Sequence, residues 1–266
     1  MSASANGNDQ AAERPGERSE SGPERGPDRW NYSRAAVADA IAHGEFSTFI
    51  HRFTKEELAR PTAAGFSIVA DAALSRDGHA LDALRARGVD FDIFAAVAWG
   101  IRERVDELLD ADPSLLHAER WCGTPLDWAL VYDRLELAEQ LLERGYSGPV
   151  RVHGGSDDAI RWAVHHGADL DGGALHQETR HGRPSGVAVL LELGADPNHG
   201  DLAGDTPLHV LARRGLGREI ARLLLDAGAN PDLPNRTGDT PRQLAASARR
   251  STLHEFFERL DGTVGG

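Results

Sequence analysis

The stretch GDTPLHVLARRG at residues 204–215, continued by LLLDAGANPD at 223–232, decides how the rest of the chain is interpreted. Thr206 is a residue type that caps the start of a helix, and Pro207 suits the first helical position after it. Leucine and alanine recur behind them at the spacing of one helix face. Gly215 can end this helix in the left-handed conformation. The stretch therefore predicts a helix, a turn, a second helix of similar apolar spacing and a loop.

The same pattern recurs along the chain at a period of about 33 residues. Other positions equivalent to Thr206 are Thr240, Gly173, Thr124, Phe91, Ser67 and Ala35. Thr-Pro-Leu-His at this period resembles the ankyrin repeat, although the complete motif occurs once in this chain. The resemblance covers roughly residues 34–260. It implies an all-α ankyrin-repeat solenoid of about six to seven helix-turn-helix units, each burying its apolar face against its neighbours.

The period is broken in one place. The stretch DDAIRWAVHHG at 157–167 has the pattern of a helix, but the next unit begins at Gly173, too soon for a full helix pair. Two interpretations are open. Either 157–167 is a first helix whose second helix is missing, or it is a second helix whose first helix has been replaced by the glycine-rich segment 146–156. Both predict an irregular half repeat near 157–172 between two regular blocks.

Composition divides the chain into four parts. Residues 1–29 are rich in Gly, Pro, Ser, Glu and Arg and contain almost nothing to bury, which predicts a disordered tail. Residues 30–64 predict capping helices or a degenerate repeat that closes the stack, and residues 65–260 predict the repeat array. The last residues, DGTVGG at 261–266, are expected to fray.

The composition also narrows the environment and the partners. The chain has 266 residues, a formal net charge of −13 and a pI of about 5.3, which argues against nucleic-acid binding because phosphate contacts dominate it. No apolar run is long enough to span a bilayer and no secretory signal is present, so we expect a cytoplasmic protein without a membrane partner. Cys122 is the single cysteine, which excludes an internal disulfide. Arginine greatly outnumbers lysine, and the loop at 110–123 resembles loops of bacterial ankyrin proteins, so we expect a bacterial source.

The first functional hypothesis is a module that binds a protein partner. The sequence lacks motifs for phosphate cradling, zinc hydrolysis, paired redox cysteines and a serine nucleophile, so we predict no cofactor and no metal. The ankyrin resemblance implies that residues before each helix-ending glycine, and the hairpin tips, line a concave binding surface. Trp, Tyr and Arg dominate binding hot spots. Residues of these types at such positions, together with nearby histidines, are Trp99, Arg120, Trp121, Tyr132, His165, His166, Arg180, His181, Arg213 and Arg214. Leu202 is a further residue at a hairpin tip.

Histidines near the broken repeat support an alternative hypothesis. Histidine titrates near neutrality and can transfer protons in catalysis. A gap in the array could open a pocket for a small molecule. The alternative is a cofactor-independent tailoring enzyme with lyase or cyclase chemistry around 158–181, with the candidate residues His165, His166, His176, Glu178 and His181. A homodimer formed through the irregular middle is compatible with either hypothesis.

Two further sets of residues have structural interpretations. The resemblance implies that His176 and His209, which share one slot of the repeat, carry hydrogen bonds between the loops of adjacent units. Trp128 and Trp162 follow in the next slot, which is normally aliphatic. We expect both indoles in the core, with the floor of a pocket as the other interpretation.

Overall fold

The computed structural model describes residues 34–60, 67–120, 123–152, 154–171, 173–214, 217–247, 253–254 and 257, all within the larger unit Tyr32–Gly266. The predicted tail at 1–29 and the predicted frayed end at 261–266 lie outside them. In the described part every regular element is helical, including a 3-10 helix at Pro113–His117. The α-helices are α1 (Arg34–Ala42), α2 (Phe46–Ile50), α3 (Lys55–Ala59), α4 (Ile68–Ala73), α5 (Gly78–Ala86), α6 (Ile93–Trp99), α7 (Arg102–Ala111), α8 (Pro125–Val131), α9 (Leu135–Glu143), α10 (Asp157–His165), α11 (Ala174–His181), α12 (Pro184–Glu192), α13 (Pro207–Arg214), α14 (Arg218–Asp226) and α15 (Pro241–Ser247).

The helices pack in two rows. The first row runs α1, α4, α6 and α8, and then α11, α13 and α15, with consecutive members of each set in contact. Helices of the second row pack behind their first-row partners, as α7 does on α6, α9 on α8, α12 on α11 and α14 on α13. The apolar sides of both rows meet in one continuous core from Val37 to Phe257. Within the described residues this gives six complete helix pairs, as the repeat count predicts.

Local signals place the helix ends as the sequence indicates. Thr54 and Glu57 form a reciprocal capping box at the start of α3, with hydrogen bonds of 3.2 and 2.7 Å. Ser67 caps α4 by accepting a hydrogen bond from the backbone of Ala70 at 3.1 Å. Because only glycine adopts positive φ without strain, glycines end several first-row helices, such as α6 and α11. These boundaries set where the exposed helix ends and loops can lie.

The structure settles the nature of the broken repeat. Helix α10 packs against α12 in the second row, where the Arg161 guanidinium donates a hydrogen bond to Glu192 at 2.7 Å. It is therefore a second helix, and the described residues of segment 146–156, namely 146–152 and 154–156, take the place of the missing first helix between α8 and α11, which confirms the second interpretation. Gly155 approaches α8 so closely that a Cβ there would lie 2.3 Å from the carbonyl oxygen of Leu130. A side chain at this position would push the segment off α8.

Candidate binding surface

The two aromatic residues predicted for the concave face, Trp99 and Tyr132, are buried, with 8% and 4% of their surface exposed. Trp99 ends α6, and its Nε1 donates a hydrogen bond to the carbonyl of Val69 in α4 at 2.7 Å. Tyr132 lies parallel to Trp128, with ring centroids 5.5 Å apart. The structure corrects both expectations, because neighbouring first-row helices cover each other's ends. The uniformly apolar stretch at 93–99 carries the signal, since a helix that is apolar all round is a buried helix.

Trp128 and Trp162 pack in or against the core, as the core interpretation predicts. Trp128 has no exposed surface and packs against Phe94 with ring centroids 5.3 Å apart. Trp162 is half-buried on α10, and its Nε1 donates a hydrogen bond to the Glu139 carboxylate at 2.6 Å. The His166 ring stacks on this indole at 3.9 Å. Trp162 therefore joins α10 to α9.

The histidines of the enzyme hypothesis do not meet in one pocket. His165 and His166 lie at the end of α10 in the second row, whereas His176 and His181 belong to α11 in the first row. His166 donates a hydrogen bond from Nδ1 to the carbonyl of Trp162 at 2.8 Å. His165 and His181 are exposed. The structure therefore corrects the expectation that these side chains converge.

His176 is a bridge between loops. Its Nε2 donates a hydrogen bond to the carbonyl of Asp205 in the next unit at 2.7 Å. His209 repeats this contact one unit later, donating to the carbonyl of Asp239 at 3.0 Å while its Nδ1 accepts from the backbone of Thr206 at 3.0 Å. Burial lowers the pKa of His176 below its usual value, so the neutral ring is favoured. This is the bridging role that the ankyrin resemblance implies for this slot.

Glu178 is the buried half of an ion pair. Its carboxylate is 1% exposed and accepts two hydrogen bonds from Arg183, each at 2.7 Å. Arg183 also donates to the carbonyl of Gly155 at 3.1 Å. The carboxylate occupies space over Gly186, where a Cβ would lie 2.1 Å from Oε2. The pair connects α11, α12 and segment 146–156, so the structure corrects the proton-transfer role expected for Glu178.

The predicted contact residues that stay exposed lie at the ends of α11 and α13. They are Arg180, His181, Arg213 and Arg214, while His165 is exposed at the end of α10 in the second row. Arg213 turns back along the first row, and its two terminal nitrogens contact the Asp205 carboxylate at 2.6 and 3.0 Å. This direction shows that side chains at the Arg213 position run towards the loop that precedes the helix.

The predicted tip residue Arg120 is partly withdrawn from solvent. Its guanidinium contacts Asp92 at 2.8 Å and lies 4.2 Å from the centroid of the Phe94 ring. The neighbouring Trp121 lies outside the described residues. The loop at 110–123 is therefore a weaker candidate for partner contact than the ends of α11 and α13.

Three loops lie beside these helix ends. They precede α11, α13 and α15 at residues 169–171, 199–205 and 233–239, and we call them the first, second and third finger loops. The backbone of Arg236 donates a hydrogen bond to the carbonyl of Ala203 at 3.0 Å, joining the third finger loop to the second. An open cleft of about 390 Å3 lies among the finger loops, bordered by Asp171, His176, His199, Asp201, Leu202 and Arg236. Leu202 is 90% exposed at its edge.

The cleft does not supply the enclosed acid–base site that the enzyme hypothesis needs. Of the five candidate residues of the enzyme hypothesis, only His176 borders the cleft. The Nε2 of that ring already donates a hydrogen bond to the carbonyl of Asp205. Among the described residues, no group of His, Cys, Asp and Glu side chains has a metal-binding arrangement. Within the same residues, no helix has the length and hydropathy to cross a membrane.

Comparison with known proteins identifies the repeat. Residues 175–260 match the family model for ankyrin repeats in three copies. The palmitoyltransferase Hip14 of Drosophila melanogaster is 30% identical over 120 residues, which are 45% of this chain and 16% of Hip14. The palmitoyltransferase ZDHHC17 of Danio rerio is 30% identical over 139 residues, or 51% of this chain and 20% of that protein. This chain thus spans a fifth or less of the length of these relatives.

Two solved structures are also similar. The human ASB11 ankyrin repeat domain has 22% identity and a TM-score of 0.44, over 84% of this chain and 94% of that chain. An ankyrin repeat domain from Acinetobacter baumannii has 26% identity and a TM-score of 0.45, over 58% of this chain and 90% of that chain. The helix rows and the matched repeats confirm the predicted all-α ankyrin-repeat fold. The fly and zebrafish relatives do not support the predicted bacterial source.

Proposed function

We propose that this ankyrin-repeat array is a protein-interaction module that binds a protein partner through its finger loops and the exposed ends of α11 and α13. The observation that carries the proposal is the cleft of about 390 Å3 with Leu202, 90% exposed, at its edge. When a partner covers apolar surface that is exposed to water beside a concave feature, the free energy of the complex is lowered.

The finger loops are held in place before any partner arrives. Asn235 in the third finger loop donates to the Asp205 carboxylate of the second at 2.7 Å, and His176 and His209 attach the second and third finger loops to the helix of the preceding unit. Binding loops on a fixed scaffold lose less conformational entropy on association than loops that must first become ordered. This arrangement supports a recognition surface.

Several expectations about partners stay predictions. Composition and charge motivate a cytoplasmic location and an absence of nucleic-acid and membrane partners. A second copy of the chain and a small molecule also stay predicted partners. We propose no acyl-transfer activity, because the similarity to the palmitoyltransferases covers a fifth or less of their length.

The proposal is tested by affinity purification with the full chain as bait, followed by mass spectrometry. Leu202→Asp places a charge at the exposed edge of the cleft and is expected to lose the captured protein. Arg222→Glu is the matched control, because Arg222 is exposed on α14 in the second row. Both variants are expected to unfold at the wild-type temperature. A set of captured proteins that Leu202→Asp leaves unchanged would reject this surface.

A further inference from the structure

In the C-terminal block, here α11–α15 with their loops, some arginines form short ion pairs and others form none with a described carboxylate. Those engaged in ion pairs at 2.6–2.7 Å are Arg183, Arg213 and Arg242. In contrast, Arg180, Arg214 and Arg236 are exposed, and no carboxylate among the described residues forms an ion pair with them. An exposed guanidinium presents a planar set of donors that matches a carboxylate. Two of these three, Arg180 and Arg236, lie on the finger-loop side.

The position of Arg180 follows from the repeat. Arg180 in α11 occupies the slot of Arg213 in α13, and Arg213 runs towards its finger loop to contact Asp205. The residue that corresponds to Asp205 one unit earlier is Gly172. Because that slot has no carboxylate, Arg180 lacks the internal acid that its repeat partner has. Its guanidinium is exposed and forms no ion pair with a described carboxylate, so it can bind an acid from outside.

One of the two carboxylates that border the cleft, Asp201, is already engaged. The Asp201 side chain accepts hydrogen bonds from the backbone of Ala203 at 2.8 Å and of Asp205 at 3.0 Å. Burial raises the pKa of Asp201, but these two bonds and the positive charge of Arg180 lower it more, so its pKa is below the usual value. Arg180 is therefore near enough to the second finger loop for its charge to act on Asp201. Asp171 is the other carboxylate bordering the cleft.

Leu202 and Arg236 occupy the same slot in consecutive finger loops. The backbone bond from Arg236 to Ala203 holds the two loops together at 3.0 Å, and both side chains border the cleft. A cation and an apolar side chain thus project next to each other, while Arg180 lies towards the same finger loops. A partner that complements this edge needs an acid beside an apolar residue.

We propose that the partner presents an extended segment with acidic side chains next to an apolar one. Its carboxylates bind Arg180 and Arg236, and its apolar side chain covers Leu202. This inference rests on the proposed function and specifies the chemistry of the segment. The net charge of −13 disfavours an acidic segment elsewhere on the chain, so attraction is confined to this edge.

The test uses a displayed library of random short peptides, selected for binding to the full chain. Enriched sequences are expected to pair Asp or Glu with Leu, Ile, Val or Phe. The best enriched peptide, labelled with a fluorophore, is then titrated with wild type, the double variant Arg180→Glu/Arg236→Glu and the control Arg222→Glu. We expect the double variant to weaken binding at least about tenfold and the control to bind like wild type. Added salt should weaken wild-type binding.

Three results would overturn the inference, and they separate it from the proposed function. Enriched peptides without acids, or acidic peptides that bind the double variant as well as wild type, would remove the acidic partner and leave a protein-binding module in place. A selection that enriches no peptide, combined with protein capture that depends on Leu202, would also reject the acidic segment and keep the protein-binding module. If neither peptides nor proteins bind in a way that depends on this edge, both proposals fail. Unfolding temperatures equal to that of wild type establish that both variants are folded.

Discussion

Arg183 holds together three parts of the chain that meet at the broken repeat. It neutralises the carboxylate of Glu178, which is 1% exposed, and it donates to the carbonyl of Gly155. In the regular unit of α13 and α14, Leu211 and Ile220 hold the slots of Glu178 and Gly186. The unit beside the missing helix thus replaces an apolar contact with an ion pair that also anchors segment 146–156.

Arg183→Ala is expected to lower the free energy of unfolding by about 2–3 kcal/mol, because it leaves the Glu178 carboxylate buried without its partner. Urea denaturation followed by circular dichroism measures the change. Arg161→Ala is the matched control, since it removes an exposed pair with Glu192 that contributes less than about 1 kcal/mol. Equal losses in the two variants would contradict the role assigned to Arg183.

His176 makes stability depend on pH. Burial lowers its pKa from the usual 6.5, so the unfolded chain takes up this proton more readily than the folded chain. Stability is therefore expected to fall as the pH drops below about 6.5 and through the folded pKa. The charged groups that act on this ring are Asp201, His199 and Arg180.

His176→Gln keeps a donor for the Asp205 carbonyl but cannot be protonated. The urea midpoint of this variant is expected to change less between about pH 7 and pH 5 than that of wild type. His181→Gln, at an exposed position on the same helix, should keep the wild-type dependence. A His176→Gln profile that follows wild type throughout this range would show that other groups cause the loss.

At the scale of elements, the sequence predicts the helices well and their neighbours less well. The bounds of α10 can be predicted from Ser156 and from the apolar spacing that follows it. Whether α10 belongs to the first or the second row cannot, because the helices of both rows recur at the same period. The tail GADLD at 167–171 resembles GADPN at 194–198 after α12, and this is the signal for a second helix. For Trp99 and Tyr132 the repeat gives the slot, yet the direction of a large ring depends on the units beside it. Ion pairs between loops, such as Arg120 with Asp92, depend on the same packing.

Segment 146–156 replaces a helix only because its backbone comes close to α8. Gly155 and Gly145 both have positive φ, 95° and 98°. A Cβ at Gly155 would lie 2.3 Å from the carbonyl oxygen of Leu130, whereas a Cβ at Gly145 would have no atom within 4 Å. Gly155→Ala is therefore expected to cost about 3–4 kcal/mol, and Gly145→Ala about 1–2 kcal/mol from backbone strain alone. Thermal and urea unfolding measure both. Equal costs would mean that segment 146–156 moves freely away from α8.

At the scale of the whole array, stability is close to a sum over units and the contacts between neighbours. The first row is interrupted between α8 and α11, and the neighbouring blocks are joined there by α10, segment 146–156 and the bonds of Arg183. The contact between Asp133 at the end of α8 and Ser156 at the start of α10 belongs to the same joint. Cooperative unfolding of the two blocks thus depends on a small number of contacts.

The positions of the tryptophans allow this dependence to be measured. All five precede α11 in the sequence, so their fluorescence reports α10 and the N-terminal block, here the part of the chain before α10. Far-ultraviolet circular dichroism reports every helix. In wild type the two urea curves are expected to coincide, because the joint couples the blocks. In Gly155→Ala, which displaces segment 146–156 from α8, they are expected to separate, while Gly145→Ala keeps them together. Coincident curves in a destabilised Gly155→Ala protein would show that the second row alone, through α10 and α12, carries the coupling.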